Sequence, residues 1–340
     1  MNEAAPLDPT LPDPAALAEA LGRGERRALA QAITLVESSR PDHRPVADRL
    51  LEILLPRTGK SIRIGISGAP GVGKSTFIET FGLHVLSQGH RLAVLAVDPS
   101  SRLGGGSILG DKTRMTRLAR ESAAFIRPSP AGETLGGVAR RSREAMLLVE
   151  AAGHDVVLVE TVGVGQSETA VADMTDMFLL LLLPGSGDDL QGIKRGIVEL
   201  ADLILVNKAD GALKEVATRT ATDYQHALRL LHSSTPGWIP EVRTCSALEG
   251  TGIAAAWSAI ERFRTSLGEP ALALRRAAQA KAWLRAELSD SLLAALAGHP
   301  AVRGRLPALE AEVAAGRLPP GAAARLLLAE FMEDPRPAGG

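Results

Sequence analysis

Residues 62–75 read I-R-I-G-I-S-G-A-P-G-V-G-K-S. The first five, Ile62–Ile66, make a short apolar run of the kind that forms a buried strand. The last eight, Gly68–Ser75, fit the pattern G-x-x-x-x-G-K-[ST], and helical spacing follows from about residue 75 to 88. Strand, glycine-rich turn and helix in that order decide the fold. Glycines let the backbone wrap closely around an anion with its N–H groups turned inward, and the helix N-terminus adds a favourable dipole. On this reading Gly68, Gly71, Val72, Gly73 and Thr76 cradle phosphates and Lys74 reaches the terminal ones. Ser75 offers its hydroxyl to Mg²⁺. The alternative is a plain strand–helix turn with a solvated lysine. Ala69 stands where some dimeric ATPases of similar architecture carry an extra lysine, which disfavours that subtype.

Outward from this stretch the same alternation repeats. Apolar runs at 92–97, 123–126, 156–159, 178–183, 203–206 and 239–242 are separated by helical patterns near 138–151, 192–200, 212–232 and 252–266. Near-continuous apolar strands between helices predict an α/β fold, a mostly parallel sheet covered on both faces with its ligand site at the carboxyl ends of the strands. Upstream, residues 1–13 read as a flexible tail. Three helical pieces follow between Ala15 and Leu55, with Leu17, Ala20 and Leu21, then Leu29, Ile33 and Val36, then Val46, Leu50 and Ile53 at helix spacing. Beyond Ala271 the strand signal vanishes and amphipathic helices are expected at 275–297, 302–314 and 321–332. These either pack on the sheet or form an arm for self-association, since helices without a core of their own need something to bury against. The expected domains are 1–57, helical; 58–268, the sheet domain; and 269–340, helical.

Composition narrows the class. Of 340 residues, 45% are apolar and 23% charged, which argues against a wholly disordered chain. A net charge of −1 indicates no strongly basic nucleic-acid surface. Aromatics are only 3%, so the core is expected from Leu, Val, Ile and Ala. The single cysteine, Cys245, excludes an internal disulfide and any multi-cysteine metal site. No apolar run approaches bilayer length, and the acidic, Pro-rich N-terminus does not resemble a signal or transit peptide. The expectation is a cytoplasmic, soluble protein.

At the end of the apolar run 203–206 stands Asn207-Lys208-Ala209-Asp210, which read as N-K-x-D recognises guanine. Asp210 would accept two hydrogen bonds, from the ring N–H and the exocyclic amine, a pair that adenine cannot offer. A mismatch would leave a buried carboxylate unsatisfied. Lys208 would lay its stem across the base and Asn207 would brace the loops. A polar turn at a strand end is the alternative. Ser246, Ala247 and Leu248, after a further strand end, could reach the guanine oxygen through backbone N–H groups, and the combination favours GTP over ATP.

Asp98, Asp111 and Glu160 sit where a nucleotide-bound Mg²⁺ needs hard oxygen ligands, though after a strand each could instead cap a helix. In V-E-T-V-G the N–H of Gly163 would bond the γ-phosphate and sense its loss. Val164 follows where some GTPases place a water-orienting Gln, and Gln166 lies two positions on. No general base is assigned, so hydrolysis is expected to be slow unless a partner completes the site. Two loops, around Gly104–Gly106 and Pro184–Asp189, are candidate switches or plain turns. Beyond them Lys194 and Arg195 could pair with acids.

Taken together, G-I-S-G-A-P-G-V-G-K-S-T (65–76), A-V-D-P-S-S (96–101), G-G-S-I-L-G-D-K-T-R-M (105–115), F-I-R-P-S-P (125–130), T-L-G-G-V-A (134–139), V-E-T-V-G-V-G-Q-S-E (159–168) and D-L-Q-G-I-K-R-G-I (189–197) resemble the MeaB/ArgK family. The resemblance covers roughly residues 15 to 270, with Ala69 and Asp189 as small departures. It implies a P-loop GTPase domain flanked by an N-terminal helical region and a C-terminal dimerisation arm. It also implies Mg²⁺ with GTP or GDP as the bound nucleotide. The implied role is a homodimeric GTPase chaperone of an adenosylcobalamin-dependent acyl-CoA mutase, one that gates cofactor loading and rescue of the mutase. Lys74 and the loop amides would hold phosphates; Ser75, Asp98, Asp111 and Glu160 would surround the metal; Asn207, Asp210 and 246–248 would hold guanine. Residues 184–197, including Asp188, Asp189, Gln191 and Lys194, would match a switch that communicates with the mutase. The family was once labelled a kinase of a periplasmic amino-acid transport protein, for which no separate phosphoacceptor stands out. A metallochaperone GTPase is a third reading, disfavoured by one Cys and seven scattered His.

Overall fold

The computed structural model describes residues 11–97, 115–128, 135–161, 167–185, 195–229 and 235–333. The chain divides into two units, Met1–Gln279 and Ala280–Gly340. In the first, seven strands form one sheet: β1 (Ile62–Gly68), β2 (Leu92–Val97), β3 (Ala124–Arg127), β4 (Val156–Thr161), β5 (Met177–Leu182), β6 (Leu203–Val206) and β7 (Glu241–Thr244). Every pairing is parallel and the order is β3-β2-β4-β1-β5-β6-β7. Strands β1, β2, β4, β5 and β6 are buried along their whole length, so their Ile, Val and Leu runs need no polar alternation. The chain runs from β1 outward to β2 and β3, then returns through β4 and crosses to β5 on the far side of β1. That reversal places the crevice of the sheet at the carboxyl end of β1, where the Gly68–Ser75 loop begins.

All seven expected strands are present, but the last is displaced. The apolar run 239–242 suggested a strand there, whereas pairing starts at Glu241. Pro240 has no N–H to give a ladder and Ile239 is 80% exposed. Trp238 turns inward instead and donates Nε1–H to the Asp202 carbonyl at 2.9 Å.

Helices α1 (Pro14–Gly22), α2 (Arg26–Glu37) and α3 (His43–Leu54) occupy the N-terminal segment, broken at the Gly22–Gly24 and Pro41–Asp42 signals. Asp13 caps α1 by accepting from the N–H groups of Ala15 and Ala16, and Pro14 starts it. The inward residue closing α3 is Leu54; Ile53, expected there, is exposed. Charged contacts tie these helices to the sheet domain: Arg44 meets Glu144 at 2.7 Å, and Arg127 at the end of β3 pairs with Glu37.

Helices α4 (Lys74–Ser87), α5 (Leu135–Ala151), α6 (Ser167–Ala172), α7 (Arg195–Leu200) and α8 (Lys214–Arg229) connect the strands, and α9 (Ile253–Gly298) follows β7. Short α6 had no counterpart in the sequence reading. The expected helices at 252–266 and 275–297 abut within α9, where Gly268 (φ 69°, ψ 166°) breaks the helical geometry. The few aromatics are concentrated in the core: Phe77 stacks on Phe81 at 5.3 Å, Trp257 meets Phe81 edge-on at 6.0 Å, and Trp238 meets Phe263 at 5.2 Å. At the amino ends of the strands, Arg63 grips buried Glu150 at two points, 2.7 and 2.8 Å. There Arg276 also grips Asp176, which in addition accepts the Arg63 N–H at 2.9 Å.

The second unit holds the end of α9, then α10 (Pro300–Ala314) and α11 (Pro320–Glu333), which pack together around Val302, Leu309 and Ala323. Leu284, Leu288, Leu292 and Leu293 are all exposed on α9. No described helix is long and apolar enough to cross a membrane.

Candidate functional site

Strand β1 runs into α4 through a loop with two left-handed residues, Gly71 (φ +78°) and Gly73 (φ +92°). Such alternation turns successive N–H groups to one concave side at a helix N-terminus, a cradle for an anion. A Cβ at Gly68 would sit 2.6 Å from the Leu181 carbonyl of β5. One at Gly73 would sit 2.9 Å from the Asn207 amide nitrogen, so neither position admits a side chain without displacing the neighbouring strand or Asn207. Val72 is fully buried and anchors the loop, while Gly71 and Thr76 are exposed at its rim. Lys74 lies across the loop and donates Nζ–H to the Gly68 carbonyl at 2.6 Å. Burial lowers its pKa, and the carboxylates of Glu160 and Glu168 work in the opposite direction without cancelling that fall. A half-buried ammonium among loop amides can neutralise phosphate charge.

Glu160, the last residue but one of β4, is in register with Ile66 of β1 and Ala96 of β2, and it is buried. Its neighbour Thr161 donates to Ser67 Oγ at 3.0 Å, joining β4 to β1 directly beneath the loop. The Glu160 carboxylate and the Ser75 hydroxyl, at the start of α4, are hard oxygen donors of the type Mg²⁺ takes. Among the described residues no group of three or more His, Cys, Asp or Glu gathers. Asp98, Asp111, Gly163, Asp188, Asp189, Gln191 and Lys194 lie outside the described residues. Glu168, on α6, is a group the sequence reading gave no role: it is buried and close enough to act on Lys74. Its only signal was its place at the end of the 159–168 stretch.

The second half of the site lies at the ends of β6 and β7. Asn207 is buried and bridges three places at once. Its Nδ2 donates to the Val72 carbonyl at 2.8 Å, across 135 residues of chain. Its Oδ1 accepts from the Ala247 N–H at 3.0 Å and from the Cys245 thiol at 3.6 Å. Thus one amide joins the 68–75 loop to the 246–248 turn. Burial pushes the Cys245 thiol up to about 12, so it stays protonated and serves as a donor. Lys208 has φ +58°, the one non-glycine residue in the left-handed region among those described. Asp210 is held by Ser246, whose hydroxyl donates to Oδ2. The same hydroxyl accepts the Glu249 N–H at 3.1 Å. The Ala209 N–H bonds the Cys245 carbonyl at 3.0 Å, and the Ser246 N–H bonds Thr251 at 2.9 Å. Leu248 is 82% exposed at the rim. The structure therefore brings Gly68–Thr76, Glu160, Asn207–Asp210 and Ser246–Leu248 to the carboxyl end of one parallel sheet, the Asp210 carboxylate held there by Ser246.

Over 309 residues the chain is 57% identical to a protein of Caulobacter vibrioides named a putative GTPase, covering 91% of this chain and 94% of that one. It is 49% identical over 322 residues to the mouse protein named methylmalonic aciduria type A homolog, mitochondrial, covering 92% and 78%. A crystal structure described as a LAO/AO transport system kinase shares 40% identity with a TM-score of 0.75, covering 97% of this chain and all of that one. The family described as methylmalonyl Co-A mutase-associated GTPase MeaB matches residues 29–301, and the chain belongs to that family of P-loop GTPases.

Proposed function

We propose that the protein binds and hydrolyses GTP and, as a chaperone, couples that cycle to cofactor loading, protection and reactivation of an adenosylcobalamin-dependent acyl-CoA mutase, methylmalonyl-CoA mutase or a relative. The observation that carries the nucleotide choice is the Asn207 bridge between Val72 and Ala247, with Asp210 held at the same end by Ser246. A carboxylate there accepts from the N1–H and 2-amino groups of guanine and would be left unsatisfied by adenine. Lys74 and the amides of Gly68–Thr76 hold the phosphates, and Gly163 contacts the γ-phosphate. Ser75 and Glu160, with Asp98 and Asp111, would hold Mg²⁺, which neutralises charge on the β- and γ-phosphates when bound. Membership of a family described as mutase-associated, and likeness to a relative named for methylmalonic aciduria, support the choice of client. Residues 184–197, with Asp188, Asp189, Gln191 and Lys194, carry the signal to it.

The exposed leucines 284, 288 and 292 recur every four residues on α9 and support a homodimer through this unit. The protein works in the cytoplasm. The solved relative's description as a kinase motivates a second reading, phosphoryl transfer to a transport protein. Radiolabel moving from the γ-position of ATP to a protein would favour it.

The test of the main reading is phosphate release from GTP with and without the mutase of the same cell. Slow release alone and faster release with mutase are expected. Equal rates in the two, or release from ATP as fast as from GTP, would contradict the proposal.

A further inference from the structure

Threonines inside helices usually bond the carbonyl one turn back. Thr34, Thr218, Thr222 and Thr265 all do so here, to Ala30, Lys214, Thr218 and Glu261. Thr80, on α4, does not. Its hydroxyl donates instead to the Ala247 carbonyl at 2.8 Å, across 167 residues of chain. Ala247 is thereby fixed from both sides, its N–H by Asn207 and its carbonyl by Thr80.

A trans peptide is planar, so its C=O and the next N–H point in opposite directions. Turning the Ala247 carbonyl onto α4 therefore turns the Leu248 N–H away from α4. Of the four consecutive N–H groups in this turn, three have acceptors: Ser246 to Thr251, Ala247 to Asn207 Oδ1, and Glu249 to Ser246 Oγ. That of Leu248 has none among the described residues. It is the donor left for a ligand, two residues along from Ser246, which holds the Asp210 carboxylate.

We propose that Thr80 is a specificity-positioning residue: from the helix that begins the phosphate cradle, it orients the Ala247–Leu248 peptide so that its N–H meets the 6-oxo group of the purine. This rests on the guanine reading above and adds to it a residue outside every motif of the site.

The probe is 6-thioguanosine diphosphate, which keeps the N1–H and 2-amino groups that Asp210 would read and replaces only the 6-oxygen with a poorer acceptor. The wild-type protein is expected to bind GDP more tightly than the thio analogue. Thr80→Val, nearly isosteric, and Thr80→Ala should each weaken GDP binding about five-fold while leaving the thio analogue almost unchanged, narrowing the ratio. Thr80→Ser should restore it. A purely structural hydroxyl would weaken both nucleotides by the same factor, and that result overturns the role of Thr80 alone. If the wild-type protein binds ADP as well as GDP, the guanine reading has failed and the role of Thr80 falls with it.

Discussion

Replacing Asn207 by alanine tests the joint on which the site depends. The side chain is buried and makes three hydrogen bonds, to the Val72 carbonyl, the Ala247 N–H and the Cys245 thiol. Truncation strands two buried backbone groups, since Val72 and Ala247 are themselves buried. Each stranded group costs about 1–3 kcal/mol, and the thiol, a weak donor, adds little. Because the truncated site borders the 68–75 loop, water can enter and the cost falls toward the lower half, about 3 kcal/mol in all. In a unit of this size that lowers Tm by roughly 5 °C. Asn207→Asp keeps the acceptor oxygen for Ala247 but buries a carboxylate whose second oxygen faces the Val72 carbonyl, so a fall at least as large is expected. The assay is thermal denaturation without nucleotide and again with saturating GDP. The alanine variant should also gain less from GDP, because ligand stabilisation follows the ratio of concentration to Kd. A melting temperature within a degree of wild type, with undiminished GDP stabilisation, would refute the bridge as the element joining the two halves.

Asp210→Asn should shift base preference from guanine toward xanthine, because the amide presents a donor where guanine also donates; competition binding with XDP and GDP reads this, and unchanged preference sinks the role of Asp210. His154 is buried against Phe125, and burial, with lesser pulls from Arg91 and Arg26, brings its pKa to about 4 from an ordinary 6.5. The unfolded chain then binds a proton that the folded chain refuses between those values, so stability falls by about 3 kcal/mol as pH drops from 6.5 to 4. His154→Asn should flatten that part of a denaturant-unfolding profile, and an unaltered slope would refute it. Asp176→Ala leaves Arg276 without its buried partner and should cost about 3–5 kcal/mol, part of which Arg276→Met in the same chain recovers. Equal stability of the single and double variants in denaturant unfolding would remove the coupling.

Strand content was legible because this sheet is covered on both faces, so its strands are written as unbroken Ile, Val and Leu runs. At β7 the hydrophobic pattern misleads, because Ile239 supplies hydrophobicity while Pro240 lacks the N–H that pairing requires. The pattern misleads at Ile53 for a different reason. Helical spacing allows either of two adjacent residues to face inward, and packing selected Leu54. Motif residues of the site could be picked out because glycine, lysine and carboxylate positions follow from backbone and ligand chemistry. Asn207 was legible as a brace for the loops, but not its partners, since Val72 lies 135 positions away; nor were the Thr80–Ala247 bond, across 167 positions, or the approach of Glu168 to Lys74, which exists only once α6 is folded over β1. Cys245, read only for what one cysteine excludes, proved to be a buried donor to Asn207.

Selection of guanine rests on the hydrogen bonds that the carboxylate of Asp210 accepts from the base. Titration calorimetry of the full chain with GDP and with ADP, both with magnesium, measures it most directly. Heat of binding with GDP and little or none with ADP is the predicted result. Equal heats, or no heat with GDP, would contradict it.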